Sequence, residues 1–449
     1  MATGNLFGVD DGPVSNASSK TRERTNRGKP RLVRADRNQM RLEARRLDEL
    51  IGDDHRARAL WLASASLDLS AFYDEIESVE TGPGRPAIDP RILLVLWLYA
   101  TAEGIGSARR LSRLCREHDA YRWIAGGHEI CHRVLSDFRV HHGKKLDRLL
   151  TGLLAALMKS GVITLRVVAQ DGMKVRASAG AASFRRRNSL KTCLRDAEQQ
   201  VAALKDRVDD GDETTDKRKR AARQRAAEQR VESVKAALEA LQEVEESRRR
   251  NGKKGEPRAS TTDPDARVMK MADGGFRPAF NCQLASDVDS RIVIALRASN
   301  SGGDMGQVEP TVEEIRERLR AKPASYIVDG GYAKRESIDR LTDEQIKVFA
   351  PPQHNPRKRD PSKLRQRVDS PQVAAWKARM QTDEAKEIYK LRASTIETVN
   401  GDLKDHRGLT RFRVRGLQRV QCVLTWGVLT YNLLRAIVIA PQVVLPSAT

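Results

Sequence analysis

The chain has 449 residues, a formal net charge of +21 and a sequence pI near 10.0. It can hold two or three domains with full-sized cores, and its basicity points to a polyanionic partner, nucleic acid ahead of a membrane surface. Five widely spaced cysteines (Cys115, Cys131, Cys193, Cys282, Cys422) include no Cys-x-x-Cys pair. That speaks against a disulfide frame or a zinc ribbon and for a reducing compartment.

Taken in order, residues 1–40 read as a disordered basic tail, with eight cations from Lys20 to Arg37 that suit a phosphate-tracking arm. No apolar core marks a signal peptide near Met1. Residues 41–160 carry apolar positions at helical spacing and read as an all-α N-terminal DNA-binding domain. Asp89 and Pro90 predict the start of one helix. Gly104-Ile105-Gly106 ends it, and Ser107 caps the next, from Ala108 to His118. Helix, glycine turn, basic helix is helix-turn-helix-like, with Arg109, Arg110 and Arg113 placed to face DNA. His118, His128, Cys131 and His132 fit no zinc spacing.

Residues 161–440 read as an α/β catalytic domain. Thr164 to Gln170 predicts a strand that delivers Asp171 to its tip and breaks at Gly172. The pattern recurs at Ala324 to Val328, followed by Asp329-Gly330-Gly331-Tyr332. Between them, residues 185–250 form a helical-hairpin insertion with two apolar stripes and a turn at Asp209–Asp216; Arg248 to Arg258 returns to loop. Downstream come a strand hairpin (Arg277–Ser286 and Arg291–Leu296), a helix at Val308–Leu319, a short helix at Arg335–Leu341, a strand at Ile346–Phe349 and a basic loop at Lys358–Arg367. Glu384 to Lys404 is helical. Val420 to Leu445 is the longest apolar run, but Asn432, Arg435 and Gln442 make it a buried helix rather than a membrane span. Residues 441–449 are a tail.

Two strand tips bearing aspartate, then a helical glutamate, suggest carboxylates gathered to hold divalent metal. Such a cluster suits phosphodiester chemistry, because two ions can activate the nucleophile and stabilise the leaving oxygen. Each acid also has an ordinary reading: Asp171-Gly172 and Asp329-Gly330 as turns, Glu397 as part of a capping box with Ser394.

Asp171-Gly172, Asp329-x-Gly331-Tyr332 and Tyr389-x-x-Arg392 followed by Glu397 and Lys404 resemble bacterial insertion-sequence transposases of the DDE type, in the branch with a Y-R-E-K signature. The N-terminal residues Gly84-Arg85-Pro86 to Pro90 and Gly104-Ile105-Gly106-Ser107-Ala108-Arg109 resemble the same family. The resemblance implies an RNase H-like mixed sheet with flanking helices. It implies Asp171, Asp329 and Glu397 as catalytic ligands of two Mg²⁺ ions, for which Mn²⁺ can substitute. It further implies DNA contacts by Arg392 and Lys404, with Tyr389 and Tyr332 packing against the site or stacking on a displaced base. The partners implied are double-stranded DNA (terminal inverted repeats and target) and a second copy of the chain, with no membrane, in the bacterial cytoplasm beside the nucleoid. The alternatives are a nuclease that cuts without joining and an inactive DNA-binding regulator. One departure stands out. Many relatives have three residues between the signature arginine and glutamate; here there are four, which on an α-helix turns Arg392 away by roughly a hundred degrees. Met173 also replaces a residue that is often small or hydroxylated.

Overall fold

The computed structural model describes residues 44–78, 86–206, 214–250, 252, 255–352 and 369–446. The tail at 1–40, Gly84-Arg85 and the loop at Lys358–Arg367 lie outside the described residues. From Arg46 onward the chain is one compact unit.

Its first part is helical: α1 (Arg56–Ala63), α2 (Ser70–Tyr73), α3 (Pro90–Ala102), α4 (Ala108–Glu117), α5 (Asp119–Ile124), α6 (His132–His141) and α7 (Gly143–Lys159). Capping chemistry fixes the starts of α3 and α4. The Asp89 carboxylate accepts from the Arg91 amide at 2.8 Å, and the Ser107 hydroxyl from the Arg110 amide at 3.3 Å; each satisfies an amide that has no partner inside the helix. His118 does the same for α5 through Nδ1.

The sheet follows. Strand β1 (Val167–Arg176) leads into a two-residue strand β2 (Phe184–Arg185), then α8 (Arg187–Asp206) and α9 (Thr214–Arg250). After them come β3 (Ala259–Ser260), β4 (Arg267–Lys270), β5 (Phe276–Asp287) and β6 (Val293–Ser299). Then α10 (Val308–Leu319), β7 (Ser325–Ile327), α11 (Arg335–Asp343) and β8 (Lys347–Phe349) complete it. The six-stranded sheet is mixed. Its order is β4-β5-β1-β7-β8, with β6 also paired to β5. β1 runs antiparallel to β5 and parallel to β7, which is parallel to β8. β2 and β3 form a separate small ribbon.

Three local expectations need correction. β1 does not break at Gly172 but continues to Arg176. β7 pairs only with Val167 to Ala169, whereas β5 pairs with β1 from Val168 to Arg176. Asp171 therefore stands just past the end of the parallel pair while remaining inside the antiparallel one. Gly172 is demanded by close approach, not by a turn. A Cβ there would lie 2.5 Å from Asp304 Oδ1, 2.7 Å from Gln283 Nε2 and 2.8 Å from Asn281 Oδ1. In the insertion, α8 and α9 do pack on each other, around Leu190, Val234, Ala237 and Leu241. Thr214 to Asp216 and Arg248 to Arg250 are nonetheless helical rather than turn and loop.

The C-terminal part comprises α12 (Pro371–Arg379), α13 (Asp383–Arg392), α14 (Thr398–Asp405), α15 (Leu417–Ile439) and a short α16 (Pro441–Val444), which takes the place of a tail starting at 441. α15 is long and apolar enough to cross a membrane, yet most of it is buried between β6 and the helices α3 and α7. Its polar residues explain why. Asn432 accepts from the Val293 amide at 2.9 Å and donates to the Val293 carbonyl at 2.7 Å. Gln421 accepts from the Ala298 amide at 2.6 Å and donates to the Leu296 carbonyl at 3.2 Å. Side-chain amides thus complete the hydrogen bonding of β6, whose outer edge no strand covers among the described residues.

Candidate active site

α13 and α14 are one rod joined by a π-helical turn, Ala393–Glu397. A π turn closes hydrogen bonds between residues five apart and accommodates one extra residue within an α-helix. It removes the offset expected for Arg392. Arg392 Nη1 donates to Glu397 Oε1 at 2.6 Å, and its Nη2 lies 3.5 Å from Asp171 Oδ1. One guanidinium therefore joins the acid from β1 to the acid from the helical rod.

Three residues beyond Glu397, on the same side of the helix, Asn400 Nδ2 donates to Asp171 Oδ2 at 3.2 Å. Asp329 follows β7, and its Oδ1 accepts from the Gly330 amide at 2.7 Å, starting a 3₁₀ turn over Gly330–Tyr332. Its carboxylate is exposed and close enough to act electrostatically on both Arg392 and Tyr389. The structure so brings Asp171, Asp329, Glu397, Arg392 and Tyr389 to one place.

Burial holds the Asp171 carboxyl above the usual carboxylate range. Arg392 and the Gly172 amide pull it back, while Asp304 and Glu397 push it further up. For Arg392, burial works against the charge, but Asp171, Tyr389, Glu397 and Asp329 outweigh it and raise the pKa. Burial likewise raises Tyr389, which is only half-buried. Of its two expected roles, packing against the site or stacking on a base, Tyr332 has the geometry for the first. It is 1% exposed and its hydroxyl donates to Gln283 Oε1 at 2.8 Å, so it packs into the wall of the site and has no face free to stack on a base.

Among the described residues, no three His, Cys, Asp or Glu side chains are spaced to share a metal ion as they stand. Arg392 lies between Asp171 and Glu397 and contacts both. The donors nevertheless suit a hard divalent cation. They are carboxylates, one of them (Asp171) half-buried with its pKa raised, and the Asn400 Oδ1 beside it is buried without a hydrogen-bond partner.

Sequence reasoning missed Asn400, Asp304 and the network beneath Gly172. Asp304 Oδ1 accepts from Asn281 Nδ2 at 2.7 Å and from Gln283 Nε2 at 3.0 Å. Gln170 joins Gln283, Thr311 and Tyr326 by hydrogen bonds of 2.8–3.0 Å. Asn400 had one readable signal, its three-residue spacing from Glu397; the network had none.

Basic side chains flank the acids. Lys404, on α14, lines a cavity with Gly172. On α4, Arg109, Arg110 and Arg113 are exposed. The turn that launches α4 is fixed from two sides: Arg139 Nη1 donates to the Gly106 carbonyl at 2.6 Å, and Arg407 Nη1 to the Ala102 carbonyl at 2.9 Å. Gly408, at φ +69°, meets Gly104 so closely that a Cβ would lie 2.7 Å from its carbonyl oxygen. The helix-turn-helix-like segment is thus seated directly on the end of α14.

Acids gathered beyond a parallel strand pair and framed by cations form the class of site that handles a phosphate polyanion. Comparison with known families is more specific. Residues 247–433 match the family described as Transposase DDE domain, and residues 45–141 match Transposase domain (DUF772). Together the two transposase-domain matches indicate a DDE-type insertion-sequence transposase. Asp171 lies upstream of the DDE match, on the far side of the helical insertion. No curated protein and no solved structure matches the chain.

Proposed function

We infer that this transposase cuts DNA at the ends of its own insertion sequence and joins those ends to a target, using Asp171, Asp329 and Glu397 as ligands of two Mg²⁺ ions. The mixed sheet with flanking helices is consistent with an RNase H-like catalytic domain. The observation that carries the reading is the convergence of three acids, remote in sequence, around Arg392.

When bound, the two ions activate an oxygen nucleophile, first water and then the freed 3′-hydroxyl, and neutralise charge on the leaving oxygen. The chain's own residues do the rest. Asn400 orients the Asp171 carboxylate through its amide. Arg392 balances the charge of Asp171 and Glu397, and its planar fork is of the kind that pairs with a DNA phosphate. Lys404 provides a second phosphate contact, Tyr389 borders the site, and the α4 arginines hold the duplex. Mn²⁺ can replace Mg²⁺, two copies act on the paired ends, and the reaction takes place in the cytoplasm on the nucleoid.

The test is a Mg²⁺-dependent assay on duplexes carrying the element's terminal inverted repeats. Cleavage followed by a strand-joined product is expected. Cutting without joining reduces the reading to a nuclease, and DNA binding without cutting reduces it to a regulator.

A further inference from the structure

A cavity of about 540 Å³ opens beside Gly172. Lys174 and Arg176 line it from β1, Lys270 and Arg277 from the β4–β5 hairpin, and Lys404 from α14. Gly172, Lys174 and Arg176 occupy alternate positions of β1 and so share one side of the strand. In register, Lys174 faces Asn281 and Arg176 faces Ala279, so β5 places no carboxylate opposite either cation. Asp273 is the sole acid in the lining. It belongs to the hairpin turn, where it accepts from the Gly275 amide at 3.0 Å and pairs with Arg277 at 2.7 Å.

The hairpin itself is unusual. Its turn is closed by the Met271 amide donating to the Gly275 carbonyl at 2.8 Å. Between the turn and Arg277, directly across from Lys270, stands Phe276, with 70% of its surface in solvent. A large aromatic residue so exposed, set between cations that line a cavity, is the combination that binds nucleic-acid strands: cations along phosphates, a ring against a base.

We propose that the β4–β5 hairpin is a DNA-binding finger: Lys174, Arg176, Lys270 and Arg277 hold the phosphates of one strand leading to Asp171, and Phe276 stacks on an unpaired base of that strand. The inference rests on the transposase reading and names the path that DNA takes to its acids. The link to the acids is Lys404, which lines the cavity from α14, the helix that directly follows Glu397; Gly172 and Asp171 themselves leave opposite sides of β1.

The experiment uses the full chain and a forked duplex whose single-stranded tail carries a fluorescent base analogue. Wild-type protein quenches the analogue on binding. Phe276→Leu, which keeps an apolar side chain at an exposed position, abolishes the quench and weakens tail binding roughly tenfold, whereas Phe276→Trp retains both. Lys174→Ala and Lys270→Ala each lower the slope of log affinity against log salt by about 0.7–0.9. An unchanged quench in Phe276→Leu, or an unchanged salt slope in both lysine variants, overturns the proposal. The two readings fail separately. Normal cutting by the wild type with unaltered slopes sinks the finger and spares the transposase, while altered slopes without any cutting do the reverse.

Discussion

Arg392 and Glu397, five residues apart, meet at 2.6 Å because the helix between them makes a π turn. On an uninterrupted α-helix residues five apart would point about 140° away from each other. The extra residue is thus absorbed locally, and the flanking α-helical segments keep the facing they need. Deleting the exposed Ser394 should convert the π turn to α-helix, leave Arg392 and Glu397 on one face and preserve cleavage to within about tenfold. Deleting Thr398, beyond the turn, rotates α14 by about a hundred degrees and should abolish cleavage. Equal loss in both would show that the turn does more than absorb an insertion.

Substituting the acids should separate chemistry from binding. Asp171→Asn, Asp329→Asn and Glu397→Gln are each expected to slow cleavage by roughly a thousandfold or more, since metal charge stabilisation amounts to several kcal/mol. Affinity for duplex DNA should change little. Gel-shift and cleavage measurements on the same preparations decide it, and a variant that cuts normally removes that residue from the set.

Asp171 also predicts a dependence on pH. Its folded-state pKa is raised, chiefly by burial. Between the ordinary carboxylate range and that raised value the folded chain keeps a proton that the unfolded chain has lost, so stability falls as pH rises through this window. At neutral pH, Asp171→Asn should therefore raise Tm by about a degree or two, and the gain should vanish in acid, where the wild-type carboxyl is protonated. Mg²⁺ at a hundred times its Kd should stabilise the wild type by about 2.7 kcal/mol and should not stabilise Asp171→Asn. Thermal melts across pH and metal concentration read both effects.

The α4 arginines act at a distance from the acids. Arg109→Ala, Arg110→Ala and Arg113→Ala should each reduce the salt slope of duplex binding by about 0.9 and leave the rate at saturating DNA unaltered. A fall in that rate would place them in the chemistry instead.

Asn432→Leu keeps the volume and apolar character of α15 but strips the Val293 amide and carbonyl of their partners. Each buried polar group left alone costs about 1–3 kcal/mol. Chemical denaturation should show a loss of roughly that size per group, and an unchanged midpoint would mean that β6 finds another partner.

Much of this was legible in the chain. Caps at Asp89 and Ser107, the span Val308–Leu319 and the strand hairpin around Asp287–Ser290 follow from local chemistry that nothing overrides. The two aspartates stand out in the sequence because strand-then-acid is a local pattern, and Glu397 because it follows Tyr389-x-x-Arg392 on a helix. What stayed hidden depends on tertiary structure. The continuation of β1 through Gly172 is decided by pairing with β5, and the need for glycine there by side chains more than a hundred positions away. The π turn could not be read either, because Ala393–Glu397 has unremarkable helix formers and its geometry is set by what Arg392 must reach. Strand β4 is four residues long and too short to carry a period of its own.

The amides that α15 lends to β6 also set an order of events during synthesis. The sheet leaves the ribosome with that margin bare, and the early helices α3 and α7 wait with an apolar groove unfilled, until residues 417–439 arrive to close both. A chain that carries Asp171, Asp329 and Glu397 but not yet residues 417–439 therefore lacks the element that packs against β6, α3 and α7 together.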